Sequence, residues 1–244
     1  MIKIDNLSKK YGNKEAVKGI SLEVKEGEML ALLGVNGAGK TTTIKMLSCL
    51  SKPTGGSAMI GGYDVIKDSD KVKELVGVST QDTAIAKNLT VEENLRFMAD
   101  IYLKPEEYSK KAKADHVNDI ISTFKLDEVR STRSSKLSGG WQRRLSIAMA
   151  IIGNPKVIFL DEPTLGLDVL ARRELWKEIE RLKKDKTIIL TTHYMEEAEA
   201  LADRIAIMID GKIVMLGDLA SLEEKTGQKG LENVFVSVAE GESK

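Results

Sequence analysis

A run of glycines around one lysine, Gly34-Val35-Asn36-Gly37-Ala38-Gly39-Lys40-Thr41, has the spacing G-x-x-x-x-G-K-[ST]. It follows the apolar stretch Met29–Leu33 and opens a helical pattern. Glycines at 34, 37 and 39 let the backbone turn its N–H groups inward, and a helix start aims its positive dipole end at the same point. Such a loop cradles phosphate oxygens, with Asn36, Ala38 and Thr42 completing the stretch. Lys40 adds a point charge for the β- and γ-phosphates, and the Thr41 hydroxyl is a hard donor suited to Mg2+ bridging them. Asp161 and Glu162 end a second apolar run, 157–160, so adjacent carboxylates emerge at the carboxyl end of a strand, where α/β folds bind ligands. Asp161 suits Mg2+ through water. Glu162 is placed to polarise a water attacking the γ-phosphate. A strand ending in Asp-Glu is equally compatible with a solvated strand end; the phosphate loop gives this pair its chemical meaning.

A second anion site is readable at Leu137-Ser138-Gly139-Gly140, which leads through Trp141-Gln142-Arg143-Arg144 into a helical pattern at 141–152. A serine hydroxyl and the Gly139 and Gly140 amides at a helix start attract an anion, although a plain N-cap with a glycine turn has the same residues. Two such sites on one chain point to reciprocal pairing, two copies facing head to tail.

This run resembles the LSGGQ signature of ABC ATPases, and its spacing before Asp161-Glu162-Pro163-Thr164-Leu165-Gly166-Leu167-Asp168 is similar to that family's. The resemblance covers the chain from Lys9 to about Leu216. It implies a P-loop NTPase (RecA-like) core using ATP and Mg2+, each ATP lying between the phosphate loop of one subunit and the signature of the other. It implies that Tyr11 stacks on adenine, Gln81 meets Mg2+ and the lytic water, Asp168 crosses the dimer, and His193 touches the γ-phosphate. Chemistry agrees for His193, which follows the apolar run 187–191 and can donate toward developing phosphate charge. For Tyr11, simple packing beside a turn is an alternative. Trp141 and Val169 depart from the family pattern, which has glutamine and proline there most often. The implied partners are a membrane-spanning permease subunit docking along residues 82–102, and a second copy of the chain or a sister ATPase. Lys52-Pro53-Thr54-Gly55-Gly56, Gly61-Gly62-Tyr63-Asp64-Val65 and Leu231-Glu232-Asn233-Val234-Phe235 look like the drug- and lipid-export branch. Rival expectations are a non-transport ABC ATPase with soluble partners, an importer subunit, and a small-molecule or nucleoside kinase; the last leaves Ser138 to Gly140 and Glu162 unexplained.

Positioning these residues requires strands whose ends converge. Short β-like runs at 2–7, 29–33, 76–79, 157–160, 187–191 and 204–209 alternate with helical patterns at 41–50, 169–181 and 195–201. That alternation predicts an α/β fold with a mainly parallel sheet and helices on both faces. Residues 3–24 read as strand, turn at Gly12-Asn13, strand, and 57–60 add another, giving an antiparallel β subdomain. Residues 90–152 read as an inserted helical subdomain. One domain over 1–244 is expected, with 1–89 and 153–216 as the nucleotide-binding core and 217–244 as a tail. Within that tail, 227–244 is polar and only 234–238 reads as ordered. The charged helix 172–186, with Glu180 and Lys184 four apart, reads as a solvated face.

Composition bounds the rest. Of the 244 residues, 42% are hydrophobic and 30% charged, as in soluble globular proteins. Lys plus Arg number 37 and Asp plus Glu also 37, so the positive surplus that nucleic acid binding draws on is missing. No apolar run approaches the roughly 20 residues that span a bilayer, and residues 1–10 do not read as a secretion signal. The expected location is cytoplasmic, peripheral on the inner face of the cell membrane. Cys49, the sole cysteine, reads as a small core residue on a helix, and His116 as surface.

Overall fold

Strand β1 (Ile2–Tyr11) turns at Gly12, in the left-handed region at φ 57°, into β2 (Lys14–Val24), and the two pair antiparallel. The computed structural model describes residues 1–242. Ile2, Ile4 and Leu7 all face inward because Asn6, at φ 47°, sits at a register shift that adds one residue. β3 (Met29–Leu33) is apolar throughout and fully buried, and it feeds the phosphate loop and α1 (Lys40–Leu47). Next come β4 (Gly55–Ile60), β5 (Tyr63–Asp64), α2 (Ser69–Leu75) and β6 (Val76–Ser79). Three helices follow without an intervening strand: α3 (Val91–Tyr102), α4 (Lys110–Thr123) and α5 (Gly139–Ile151). Alternation then resumes with β7 (Val157–Asp161), α6 (Val169–Leu182), β8 (Thr187–Thr192), α7 (Met195–Leu201) and β9 (Arg204–Ile209). β10 (Lys212–Gly217), α8 (Leu219–Thr226) and α9 (Leu231–Glu242) close the described chain.

The strands form two sheets, in the orders β2-β1-β4-β5 and β10-β9-β3-β8-β7-β6. The first is antiparallel; the second is parallel except for β10. The α/β fold with a mainly parallel sheet and an antiparallel layer is therefore the one observed. Alternate residues of the central strands serve two cores, as the two-residue period of a strand requires. Met29, Ala31, Leu33, Ile158, Leu160, Ile188 and Leu190 face α3 to α9, whereas Leu30, Leu32, Val157, Phe159 and Ile189 face the antiparallel sheet, α1 and α2. A sheet covered on both faces needs continuous apolar strands, and β3, β7 and β8 supply them.

Four local expectations are corrected. α1 ends at Leu47, and Cys49 lies beyond it at φ 61°, half-buried, its thiol 3.2 Å from the Val65 carbonyl, so it is not on the helix. His116 is half-buried, with Nε2 2.9 Å from the carbonyl of Ile152, just past the end of α5. α6 stops before Lys184 and buries Leu175, Glu178 and Ile179, so its charged sequence hides one packed face. The tail is helical well beyond 234–238: α9 buries Leu231, Val234 and Phe235, spaced as one face of a helix. Residues 243–244 of that tail lie outside the described residues. Among the described residues, no helix is long and apolar enough to cross a membrane.

Candidate active site

The end of β3 delivers the phosphate loop between β2 and β9, and at Gly34 and Gly39 the space admits no side chain. A Cβ on Gly34 would lie 2.4 Å from the Met208 carbonyl oxygen, and one on Gly39 2.6 Å from that of Ala16. Gly39 also stands at φ 103°, where L-residues are strained. The loop therefore hugs neighbouring backbone and leaves its concave side open. Lys40 is 5% exposed and folds back over the loop. Its Nζ donates to the carbonyls of Gly34 (2.7 Å) and Val35 (3.3 Å) and sits 3.2 Å from Glu162 Oε1.

Opposite the loop, β7 ends in the two carboxylates. Asp161 Oδ1 accepts from Thr41 Oγ1 at 2.9 Å and Thr191 Oγ1 at 2.6 Å. Glu162 is 4% exposed and occupies the left-handed region at φ 50°, a costly conformation for a residue with a side chain and one that clusters at functional sites. Its amide is held by the Thr191 hydroxyl (3.0 Å) and carbonyl (3.1 Å), and its Oε2 lies 2.7 Å from His193 Nδ1. Tyr11, residues 36–42, Gln81 and Glu162 line one cleft of about 400 Å³. Tyr11 is 49% exposed, with Lys9 Nζ 5.0 Å from its ring centroid. Thr41 and Asp161 offer hard oxygen donors a hydrogen bond apart, and Gln81 lines the same cleft as Thr41, a set that fits a cation such as Mg2+. No group of three or more His, Cys, Asp or Glu among the described residues makes a metal cluster, so a cation here needs further oxygens from the phosphates themselves.

Ser138, Gly139, Gly140 and Asp168 do not line this cleft. Ser138 takes the N-cap position of α5, yet its exposed hydroxyl caps no amide, which leaves the first amides of α5 open. A Cβ on Gly140 would come 3.8 Å from Leu167 Cδ2, so this loop neighbours the one ending at Asp168. Asp168 caps α6, its Oδ1 accepting from the amides of Leu170 and Ala171, both at 3.0 Å.

The same features recur in known proteins. A family model described as ABC transporter matches residues 17–165, well over half of the chain. The chain belongs to the ABC transporter family. Human phospholipid-transporting ATPase ABCA3 is 42% identical over 230 residues, 93% of this chain and 13% of that protein. ABC transporter A family member 10 of Arabidopsis thaliana is 42% identical over 231 residues, 91% of this chain and 25% of that one. The chain thus spans only 13% to 25% of the length of these curated relatives. A solved ATP binding subunit of an ABC transporter superposes with TM-score 0.87 at 28% identity, over 98% of this chain and 99% of that one. A dimeric post-hydrolysis ATP-binding cassette bound to ADP and Pi superposes with TM-score 0.81 at 28% identity, over 90% and 99%.

In this ABC ATPase cassette the structure adds three residues that sequence reading passed over. Arg143 is 4% exposed and donates to the carbonyls of Thr80 (2.6 Å), Gln81 (3.2 Å), Asp161 (2.8 Å), Pro163 (2.8 Å) and Glu162. It ties α5 to both the Gln81 loop and the carboxylate loop. Burial pulls its guanidinium below the usual value, opposed by Asp161, Glu197 and Glu162. Thr191 holds the Asp161 carboxylate and the Glu162 amide, and Glu197 is buried behind them. The position of Arg143 beside the signature was the one available hint. Trp141 packs against the core, with the Arg144 guanidinium 5.0 Å from its ring centroid, and Arg144 pairs with Glu174 (2.6 Å) and Glu178 (3.6 Å) of α6. The departure at Trp141 therefore serves packing between α5 and α6.

Proposed function

We propose that this cassette powers a transporter: two copies, or one copy and a sister ATPase, close head to tail around ATP and pass the motion to a membrane-spanning permease. The observation that carries this reading is the separation of the two anion-binding features. The cleft at residues 34–42 is open on one side, while Ser138 and the free amides of α5 face solvent elsewhere on the molecule. Each needs what the other supplies, and the symmetric answer is reciprocal exchange between two molecules.

Within the cleft, the loop amides and Lys40 hold the β- and γ-phosphates, and Tyr11 stacks on the base. Lys40 now contacts Glu162; an arriving γ-phosphate competes for that ammonium and frees Glu162 to take a proton from water. His193, hydrogen-bonded to Glu162, then donates toward the charge developing on the phosphate. Gln81 orients the water. Mg2+, held by Thr41 and through water by Asp161, would neutralise charge on the β- and γ-phosphates. Asp168 reaches the opposite subunit. We further propose the division at 90–152 as the helical signature subdomain, with 1–89 and 153–216 as the core and 217–244 as the tail.

For the permease, an apolar groove of about 360 Å³ opens between β6, α3 and α5, with Met98, Tyr102 and Met149 on its walls. Phe97 and Ile101 of α3, each 57% exposed, extend its apolar surface. A short helix of a membrane protein fits such a surface, and would keep the cassette on the inner face of the membrane. Export is favoured by the relatives named phospholipid-transporting ATPases and by the motifs at 52–56, 61–65 and 231–235. Crystals with a nontransferable ATP analogue test the reading: nucleotide should lie between residues 34–42 of one copy and 138–140 of another. Nucleotide enclosed by one molecule alone would overturn it.

A further inference from the structure

Behind Glu162 lies a carboxyl that the proposed chemistry does not use. Glu197, on the first turn of α7, is wholly buried, a setting that acids avoid unless their oxygens are paired. Its Oε1 accepts from Thr164 Oγ1 at 2.8 Å and Trp176 Nε1 at 3.0 Å. Oε2 is buried without a hydrogen-bond partner. Burial drives this acid toward its neutral form, with Thr192, Thr164 and Trp176 opposing the rise and Glu162 adding to it. Arg143 senses the charge of Glu197 but spends its donors on main-chain carbonyls.

These two hydrogen bonds join three segments. Glu197 follows His193 by four residues, Thr164 follows Glu162 by two, and Trp176 stands on α6, which Asp168 caps. A second bridge runs alongside: the Arg172 guanidinium of α6 lies 4.2 Å from the Tyr194 ring centroid, and the rings of Tyr194 and His193 are 4.1 Å apart. The 2.7 Å contact from His193 Nδ1 to Glu162 Oε2 is the only one of these contacts that reaches the reacting groups.

We infer that Glu197 is a positioning residue for hydrolysis: by accepting from Thr164 and Trp176 at once, it locks the segment bearing His193 against the segment bearing Glu162. The inference rests on the roles proposed above for those two residues. It acts through hydrogen-bond acceptance rather than charge, so an amide can replace the carboxyl.

The test measures kcat and KM for ATP in the full chain and its variants. E197A is expected to lower kcat about 10²-fold, the usual loss when reacting groups are misplaced by about an ångström, with KM little changed because Glu197 does not line the cleft. E197Q should recover most of that loss. Adding E197A to H193A should cost less than about threefold further, since one lost alignment cannot be lost twice. An E197Q as impaired as E197A, or a double variant showing the product of both losses beside an impaired H193A, overturns the inference alone. Full activity in H193A removes the site reading and the inference with it. Should E197A not fold, T164V removes the same hydrogen bond from the other end; it is expected to reproduce the kcat loss, and wild-type kcat in T164V overturns the proposal.

Discussion

Glu162 is held at every atom that can be held: its amide by Thr191, one carboxylate oxygen by Lys40, the other by His193, in a left-handed backbone conformation. Glu162→Gln keeps the shape of the side chain and removes the proposed base. Hydrolysis should slow by about 10²–10⁴-fold, the usual worth of general base catalysis, while ATP binding persists; phosphate release and equilibrium binding measure the two. Unchanged turnover would take Glu162 out of the role. At this scale the sequence was informative wherever chemistry lies in a contiguous string, as for Lys40, Thr41, Asp161 and Glu162. It was silent where partners are distant along the chain. Arg143 reaches back 63 residues to Thr80, Thr191 bonds Asp161 across 30, and Glu197 bonds Thr164 across 33; no local pattern records such meetings.

Among the elements, the strands were readable because burial on both faces demands uninterrupted apolar runs, and β3, β7 and β8 have them. α9 was hidden because its polar residues outnumber the few that pack, and α1 was read too long because Cys49 has no special signature for a positive φ. α3 opens on a capping box between Thr90 and Glu93 and carries a longer-range contact, the pairing of Glu92 with Arg130 at 2.6 and 2.7 Å. The Arg130 guanidinium holds Glu92 at about 2, below the ordinary 4.5. The unfolded chain is then protonated first as pH falls, so the pair's stabilisation is complete above about 4.5 and drains toward about 2. E92Q should melt below the wild type near neutral pH, and the gap should close as pH drops through that window; a gap independent of pH would contradict the pairing. Helix α5 meets β6 at Gly77, where a Cβ would sit 2.0 Å from the Ala150 carbonyl oxygen. G77A should destabilise by about 1–3 kcal/mol or more, read by denaturant titration, and wild-type stability would mean that α5 can retreat freely.

For the molecule as a whole, the fold divides its labour between faces. One core packs the antiparallel sheet and α1 under the phosphate loop; the other packs α3 to α9 and carries the signature loop on α5. The mainly parallel sheet with helices on both faces was legible from alternation alone, whereas the order of its strands and the outward aim of Ser138 depend on packing and were not. Ser138→Arg places bulk and charge where the proposed second molecule approaches. Monomer ATP affinity should stay within about twofold, because Ser138 does not line the cleft, while ATP-dependent dimerisation in gel filtration should vanish; a variant that dimerises normally would contradict the paired arrangement. If each half of the nucleotide cage resides on a different polypeptide, as proposed, turnover is second order in the cassette. Activity per mole should fall on dilution, and a tether that fixes two copies side by side substitutes local concentration for diffusional search. Free copies between encounters are then idle, and fuel is spent only where the machine is assembled.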